Sequence, residues 1–162
     1  MVKIKVVDVE KSDDLQCVIG HAGFIKTAED LYEALVNAVP GIKFGLAFVE
    51  ASGPCLVRSE GNDKRLQQLA EKNALAIGAG HTFIVLFKNA FPINIANSLK
   101  TVPEVARLYC ATSNPLQVVV ATTVQGSAVL GVIDGKSAKG IEEEEHKKER
   151  HALMRKFGYK LD

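Results

Sequence analysis

The apolar run Phe83-Ile84-Val85-Leu86-Phe87 constrains this chain more than any other stretch. Five successive large apolar side chains in so short a segment predict a buried strand. It is entered through Ile77-Gly78-Ala79-Gly80-His81-Thr82 and left through Lys88-Asn89-Ala90-Phe91-Pro92-Ile93-Asn94-Ile95. Backbone at the ends of a buried strand is fixed by the sheet while the side chains stay reachable. Polar and aromatic groups gathered there therefore suggest a pocket on a rigid element.

The remaining pattern supplies a scaffold for that strand. Residues 3–10 alternate charged and apolar groups and predict a half-exposed strand, with residues 15–20 as its hairpin partner across the turn Lys11-Ser12-Asp13-Asp14. Thr27 and Asp30 form a capping-box-like pair, and Leu31, Leu35, Ala38 and Val39 follow at helical spacing until Pro40-Gly41. Residues 42–50 predict a strand, residues 58–63 a polar loop, and Asn62 or Asp63 the cap of a helix that ends at Gly78. That helix carries Leu66, Leu69, Ala70, Ala74 and Ile77 on one face, interrupted by Asn73. A short helix over 95–100 precedes strands over 105–111, 116–123 and 128–133, and a charged surface helix begins near Ile141. Two strands before any helix argue against a purely parallel sheet. The fold class is α/β, a single domain over 1–162 with a mixed β-sheet covered by helices.

Composition narrows the partners. A formal net charge of +1 gives no global attraction to nucleic acid or to an acidic membrane surface. No run reaches the ~20 apolar residues of a membrane span. Cys17, Cys55 and Cys110 are widely spaced and odd in number, which predicts free thiols and a cytoplasmic location. His21, His81, His146 and His151 lack any metal-ligand spacing, so no metal is expected. His146 and His151 belong to the charged face of the last helix.

Residue chemistry leaves several candidates. Glycines at 78 and 80 let backbone N-H groups approach an anion, although this Gly-x-Gly follows a helix and precedes a strand, the reverse of a dinucleotide loop. Lys26 stands beside a helix N-terminus, a place suited to an anion. Glu50 and Ser52 lie at the carboxyl end of a strand, where ligands collect in α/β sheets. His81 can serve as phosphoryl acceptor, general base or hydrogen-bonded core residue. Asp134, in Asp134-Gly135, can orient a base, bind a ribose hydroxyl or simply make a turn.

The chain resembles the archaeal family of adenosine-specific kinases. The likeness is carried by Phe24-Ile25-Lys26-Thr27, Asp30-Leu31-Tyr32-Glu33-Ala34-Leu35, Val39-Pro40-Gly41-Ile42-Lys43-Phe44-Gly45, Glu50-Ala51-Ser52-Gly53 and Glu60-Gly61-Asn62-Asp63. It continues through residues 77–83 and 88–94, Gly131-Val132-Ile133-Asp134-Gly135 and Gly158-Tyr159-Lys160-Leu161. The resemblance implies binding of adenosine or AMP, with little affinity for ADP or ATP, and a histidine that carries a stable phosphoryl group. His81 is assigned that role and His21 is its rival; Gly23 stands where relatives can have a histidine.

On this reading Lys26 offsets the charge of the transferring group and Asp134 completes the catalytic set. Gly78, Gly80, Glu50, Ser52, Asn62, Asp63, Asn89 and Asn94 are expected to bind substrate, with Phe91 or Phe24 stacking the base. No cofactor is evident and no donor is specified. The expected assembly is a homo-oligomer with no nucleic-acid or membrane partner. A non-catalytic adenosine or AMP sensor is the alternative, favoured by the lack of a Walker-type loop.

Overall fold

Among the described residues, eight strands divide into two sheets, five in one and three in the other. The computed structural model describes residues 1–161. The first half runs β1 (Lys3–Asp8), β2 (Gln16–Ala22), α1 (Thr27–Ala38), β3 (Lys43–Val49), β4 (Val57–Gly61) and α2 (Lys64–Ile77). The second runs β5 (Thr82–Lys88), α3 (Pro92–Lys100), β6 (Val105–Thr112), β7 (Leu116–Thr122), β8 (Ser127–Asp134) and α4 (Glu144–Lys156).

The buried run that organises the sequence becomes β5, the middle strand of the order β4-β3-β5-β2-β6. Its side chains alternate between two cores. Phe83, Val85 and Phe87 join Leu31 and Leu35 of α1 and Ile95 and Leu99 of α3 on one face. Ile84 and Leu86 join Ala70, Ala74 and Ile77 of α2 and Leu116, Val118 and Val120 of β7 on the other. Helix α2 sits directly on β3. A Cβ on Gly45 would lie 2.0 Å from the Gln67 nitrogen, so only glycine permits this approach.

The α/β class with helices laid against sheet is the one expected, but every ladder is antiparallel. The N-terminal hairpin does not form. β1 pairs with β7, Lys3 opposite Thr122 and Asp8 opposite Gln117, while β2 lies between β5 and β6. The reason lies in burial: Gln16 to Gly20 are all buried, which suits a strand inside the sheet, whereas β1, exposed along almost its whole length, suits an edge. The polar stretch read as a loop over 58–63 is largely edge strand β4, whose polar residues are tolerated because it has one neighbour only.

Helix ends follow local chemistry. Asp63 caps α2, its Oδ1 accepting from the Leu66 N-H at 3.1 Å, and Gly78 (φ +61°) closes it, donating to the Ala74 carbonyl at 2.9 Å. The box expected at Thr27 is absent, because the Thr27 hydroxyl donates to the Phe24 carbonyl at 2.5 Å and Asp30 pairs with Lys26. Asn73, the polar break on α2, is buried and binds the Glu10 backbone twice. Among the described residues no helix is long and apolar enough to cross a membrane, and no group of three or more His, Cys, Asp or Glu is placed to hold a metal ion.

Candidate functional site

Seven residues of β5 at ~3.4 Å each put its two ends more than 20 Å apart, so the polar groups at either end cannot share a pocket. The predicted residues accordingly fall into two sets. His81, Gly78, Gly80, Glu50 and Ser52 gather at the entry, with α1 and Lys26 beginning nearby. Asn62, Asp63, Asn89, Phe91 and Asn94 lie at the exit.

At the entry His81 adopts a left-handed backbone (φ +64°), a conformation costing a non-glycine residue about 1 kcal/mol or more. Two backbone bonds hold it there: its N-H donates to the Val49 carbonyl at 2.7 Å, and its carbonyl accepts from the Ala22 N-H at 2.9 Å. Gly80 lets the turn pass against Ala51, since a Cβ would come within 2.8 Å of the alanine's own. The His81 imidazole stacks on Phe48 (centroids 5.9 Å apart, interplanar angle 17°) and meets the His21 ring edge to face at 5.9 Å. Beside it, a Cβ at Gly23 would stand 3.5 Å from His81 Nδ1. Burial holds the His21 pKa below the ordinary imidazole value, helped by the nearby His81 and Arg107.

Charge surrounds these rings. Arg107 lies opposite His21 on β6, and Arg58 donates through Nε to the Glu50 carboxylate. Lys26 binds Asp30 at 2.5 Å and lies 3.7 Å from Glu104, so its charge is already matched by carboxylates. The hydrogen bond that Lys26 donates to Asp30 raises the Lys26 pKa and lowers that of Asp30. Both Glu104 oxygens are buried without a hydrogen-bond partner. The glycine turn is a poorer anion nest than expected. The N-H groups of Gly78, His81 and Thr82 already donate to Ala74, Val49 and Ala79. Ser52 is exposed in a turn, its carbonyl accepting from Cys55 at 3.1 Å.

Two recesses flank this end. One, about 820 Å³, is lined by Glu50, Ala51, Gly78 and Gly80 and by Thr123 and Ser127 at the β7–β8 turn. The other, about 380 Å³, is lined by Ile25, Ala28, Glu29, Arg58, Ser59 and Glu60. Both volumes fall in the range of small-ligand sites.

Most polar groups at the exit are occupied by the chain itself. Asn62 bridges the Phe44 N-H (2.9 Å) and the Ile42 carbonyl (2.8 Å), and Asn94 Oδ1 accepts from the Phe91 N-H at 2.8 Å. Asp63 caps α2 and faces Lys88 at 3.8 Å. Asn89, also left-handed (φ +64°), donates to the Gly41 carbonyl at 3.3 Å. Of these, Asn89 and Asn94 border, with the exposed Phe91 ring, a cleft of about 540 Å³ that also takes in Gln16, Val39 and Lys88; Asn62 and Asp63 do not line it. Asp134 is not brought to His81. Its Oδ1 accepts from Thr112 (2.7 Å) and Asn114 (3.0 Å), and Thr112 lies opposite Cys17, which is opposite Leu86 near the exit.

The family model described as adenosine specific kinase matches residues 7–160. The chain belongs to the adenosine-specific kinase family. An adenosine-related function follows from that membership. Among solved structures, this family member is similar to the PH1918 protein from Pyrococcus horikoshii OT3, at 54% identity, with 100% of each chain covered and a TM-score of 0.97. No curated protein matches it.

Sequence reasoning passed over Arg58, Arg107 and Glu104 at this end. Arg107 and Glu104 come to the site only through the β2–β6 pairing, a contact between segments some 80 residues apart that no local pattern announces. Arg58 was hidden by reading β4 as a loop.

Proposed function

We propose that the chain binds adenosine or AMP at the entry of β5 and moves a phosphoryl group through His81. One observation carries the assignment: a histidine held in a costly backbone conformation by two hydrogen bonds presents its ring beside Gly23, a residue with no side chain of its own to cover it. Backbone strain maintained by its surroundings is common at functional sites.

In the transfer step the P–N bond to the imidazole breaks as a P–O bond forms to the adenosine 5′-oxygen. The hydroxyl proton passes to His21, whose lowered pKa keeps it neutral and able to accept. Arg107 supplies positive charge around the phosphoryl oxygens, alongside Arg58 and Lys26, each partly neutralised by its carboxylate partner, because such transfer depends chiefly on positioning and electrostatics. Phe24 is exposed one residue from Gly23 and serves as the platform for the base, in preference to Phe91 at the other end. Glu50, Ser52, Gly78 and Gly80 remain the binding groups on this side. Asn62, Asp63, Asn89, Asn94 and Asp134 take structural parts. The phosphoryl donor comes from outside the chain, and the working form is a cytoplasmic homo-oligomer without nucleic-acid or membrane partners.

Replacement of His81 and His21 tests the assignment. His81→Ala is expected to abolish acid-labile phosphate on the protein, whereas His21→Ala retains incorporation and slows its release to adenosine. Unchanged labelling of His81→Ala would overturn the reading.

The sensor alternative has an observation of its own. Asp30 and Glu104 already balance Lys26, which leaves that lysine less able to draw in a phosphoryl donor. Binding of adenosine without AMP formation across donors would favour it.

A further inference from the structure

Helix α4 is a complete helix of 13 residues with no buried residue. Isolated helices of that length are marginal in water, so something must cover it. Leu153, Phe157, Tyr159 and Leu161 on and after the helix are exposed large side chains. The solved relative matches over the whole of both chains, so the projecting arm is part of the shared fold.

A second uncovered surface lies on the three-stranded sheet. β7 turns Leu116, Val118 and Val120 to the core, which leaves Val119 and Ala121 on the outer face. By register Val6 stands opposite Val119 and Ile4 opposite Ala121. On the other side of β7, Gly131 and Ala128 of β8 take the same places, with Ile133 beyond them. Ile4, Val6 and Ile133 are exposed. The solvent side of an antiparallel sheet is normally polar. Here the outer face is apolar across Ile4, Val6, Val119 and Ala121 and turns polar only at the hydrogen-bonded pair Asp8 and Gln117, while Lys3 and Lys5, the alternate residues of β1, point the other way.

Surface area indicates what covers both. A compact monomer of 17.5 kDa exposes about 7,900 Å², whereas this chain exposes 9951 Å². The excess, roughly 2,000 Å², is more than twice the ~800 Å² that each partner commonly contributes to a stable interface. Every copy carries both the arm and the face, so a second copy can satisfy both at once.

We infer that this chain self-associates by laying the α4 arm, residues 144–161, on the outer face of the β1-β7-β8 sheet of another copy. Leu153 and Phe157 of the arm fill the row formed by Ile4, Val6 and Val119. The occupant is a second copy of this chain, and the inference is independent of the reaction assigned to His81.

Sedimentation equilibrium of the full chain at micromolar concentration is expected to give a multiple of the single-chain mass. Leu153→Asp with Phe157→Asp, and separately Val6→Glu, are each expected to weaken association at least about tenfold. These positions are exposed in the single chain, so far-UV circular dichroism should show that the sheets survive. Hydrogen exchange of the wild-type chain supplies a reading that needs no variant: α4 amides are protected at micromolar concentration and lose protection on dilution. A single-chain mass for the wild type, whatever other molecule it binds, would overturn the inference. So would an unchanged mass in both variants, or α4 amides that exchange freely in the concentrated protein.

Discussion

The rings of His21 and His81 meet edge to face with centroids 5.9 Å apart, although 60 residues separate them in sequence. The antiparallel pairing of β2 with β5 brings them together, setting His21 opposite Thr82. The contact makes each ring part of the other's electrostatic environment. Protonating both would place two cations side by side next to Arg107.

Stability should therefore respond to pH through His21. Its folded pKa lies below the unfolded one, first because of burial and then because of His81 and Arg107. Between the two values the unfolded chain holds more protons, so stability falls as pH drops through the ordinary imidazole value and levels off below the folded value. Thermal unfolding followed from about pH 7.5 to about pH 5 should show that loss, and His21→Gln should flatten it. A His21 ring that titrates above the ordinary imidazole value by NMR would contradict the account.

The proposed transfer requires access to His81 past Gly23. This glycine is exposed and its backbone is not left-handed, so a side chain is tolerated there. An added Cβ would sit 3.5 Å from His81 Nδ1, at ordinary contact distance, and a larger side chain would extend across the imidazole. Gly23→Ala is expected to label nearly as the wild type does, and Gly23→Leu at least about tenfold more slowly, which corresponds to some 1.4 kcal/mol of barrier. Equal labelling rates for the two variants would show that the ring is approached from elsewhere.

Asn73 ties the end of β1 to α2. Its Oδ1 accepts from the Glu10 N-H at 2.7 Å, and its Nδ2 donates to the Glu10 carbonyl at 2.8 Å and the Leu69 carbonyl at 3.0 Å. Asn73→Leu keeps the size of the side chain but leaves the Glu10 backbone groups without these partners, at a cost of about 2 kcal/mol. For a chain of this length, that loss lowers the melting temperature by roughly 4–8 °C. An unchanged urea midpoint would refute the role assigned to this side chain.

Much of the fold was legible because the local signals agree with tertiary demand. The apolar run of β5, the Asp63 cap and the Gly78 stop of α2 are set by side chains within a few residues of where they act. Pairing was not legible. β1 and β2 are adjacent in sequence yet lie in different sheets, because burial on both faces of β2 outweighs proximity. The same gap limits the site. Gly80 and His81 could be singled out from one segment, but Arg107 and Glu104 arrive through long-range strand pairing. Polar residues at the β5 exit looked like ligand contacts, and Asn62 and Asn94 instead close backbone hydrogen bonds. An asparagine beside a turn reads the same in sequence whether its carboxamide faces a ligand or its own chain.

The central claim is that His81 hands its phosphoryl group to adenosine, and a single-turnover chase tests it most directly. The protein is labelled on histidine with isotopically marked phosphoramidate, freed of reagent, and mixed with adenosine in excess. Protein-bound label and AMP are then followed by mass. The account predicts that label leaves the protein at the rate at which marked AMP appears, one phosphoryl group per group lost, and that His81→Ala gives neither signal. Label that stays on the protein while adenosine binds, or that leaves only as inorganic phosphate, would contradict it.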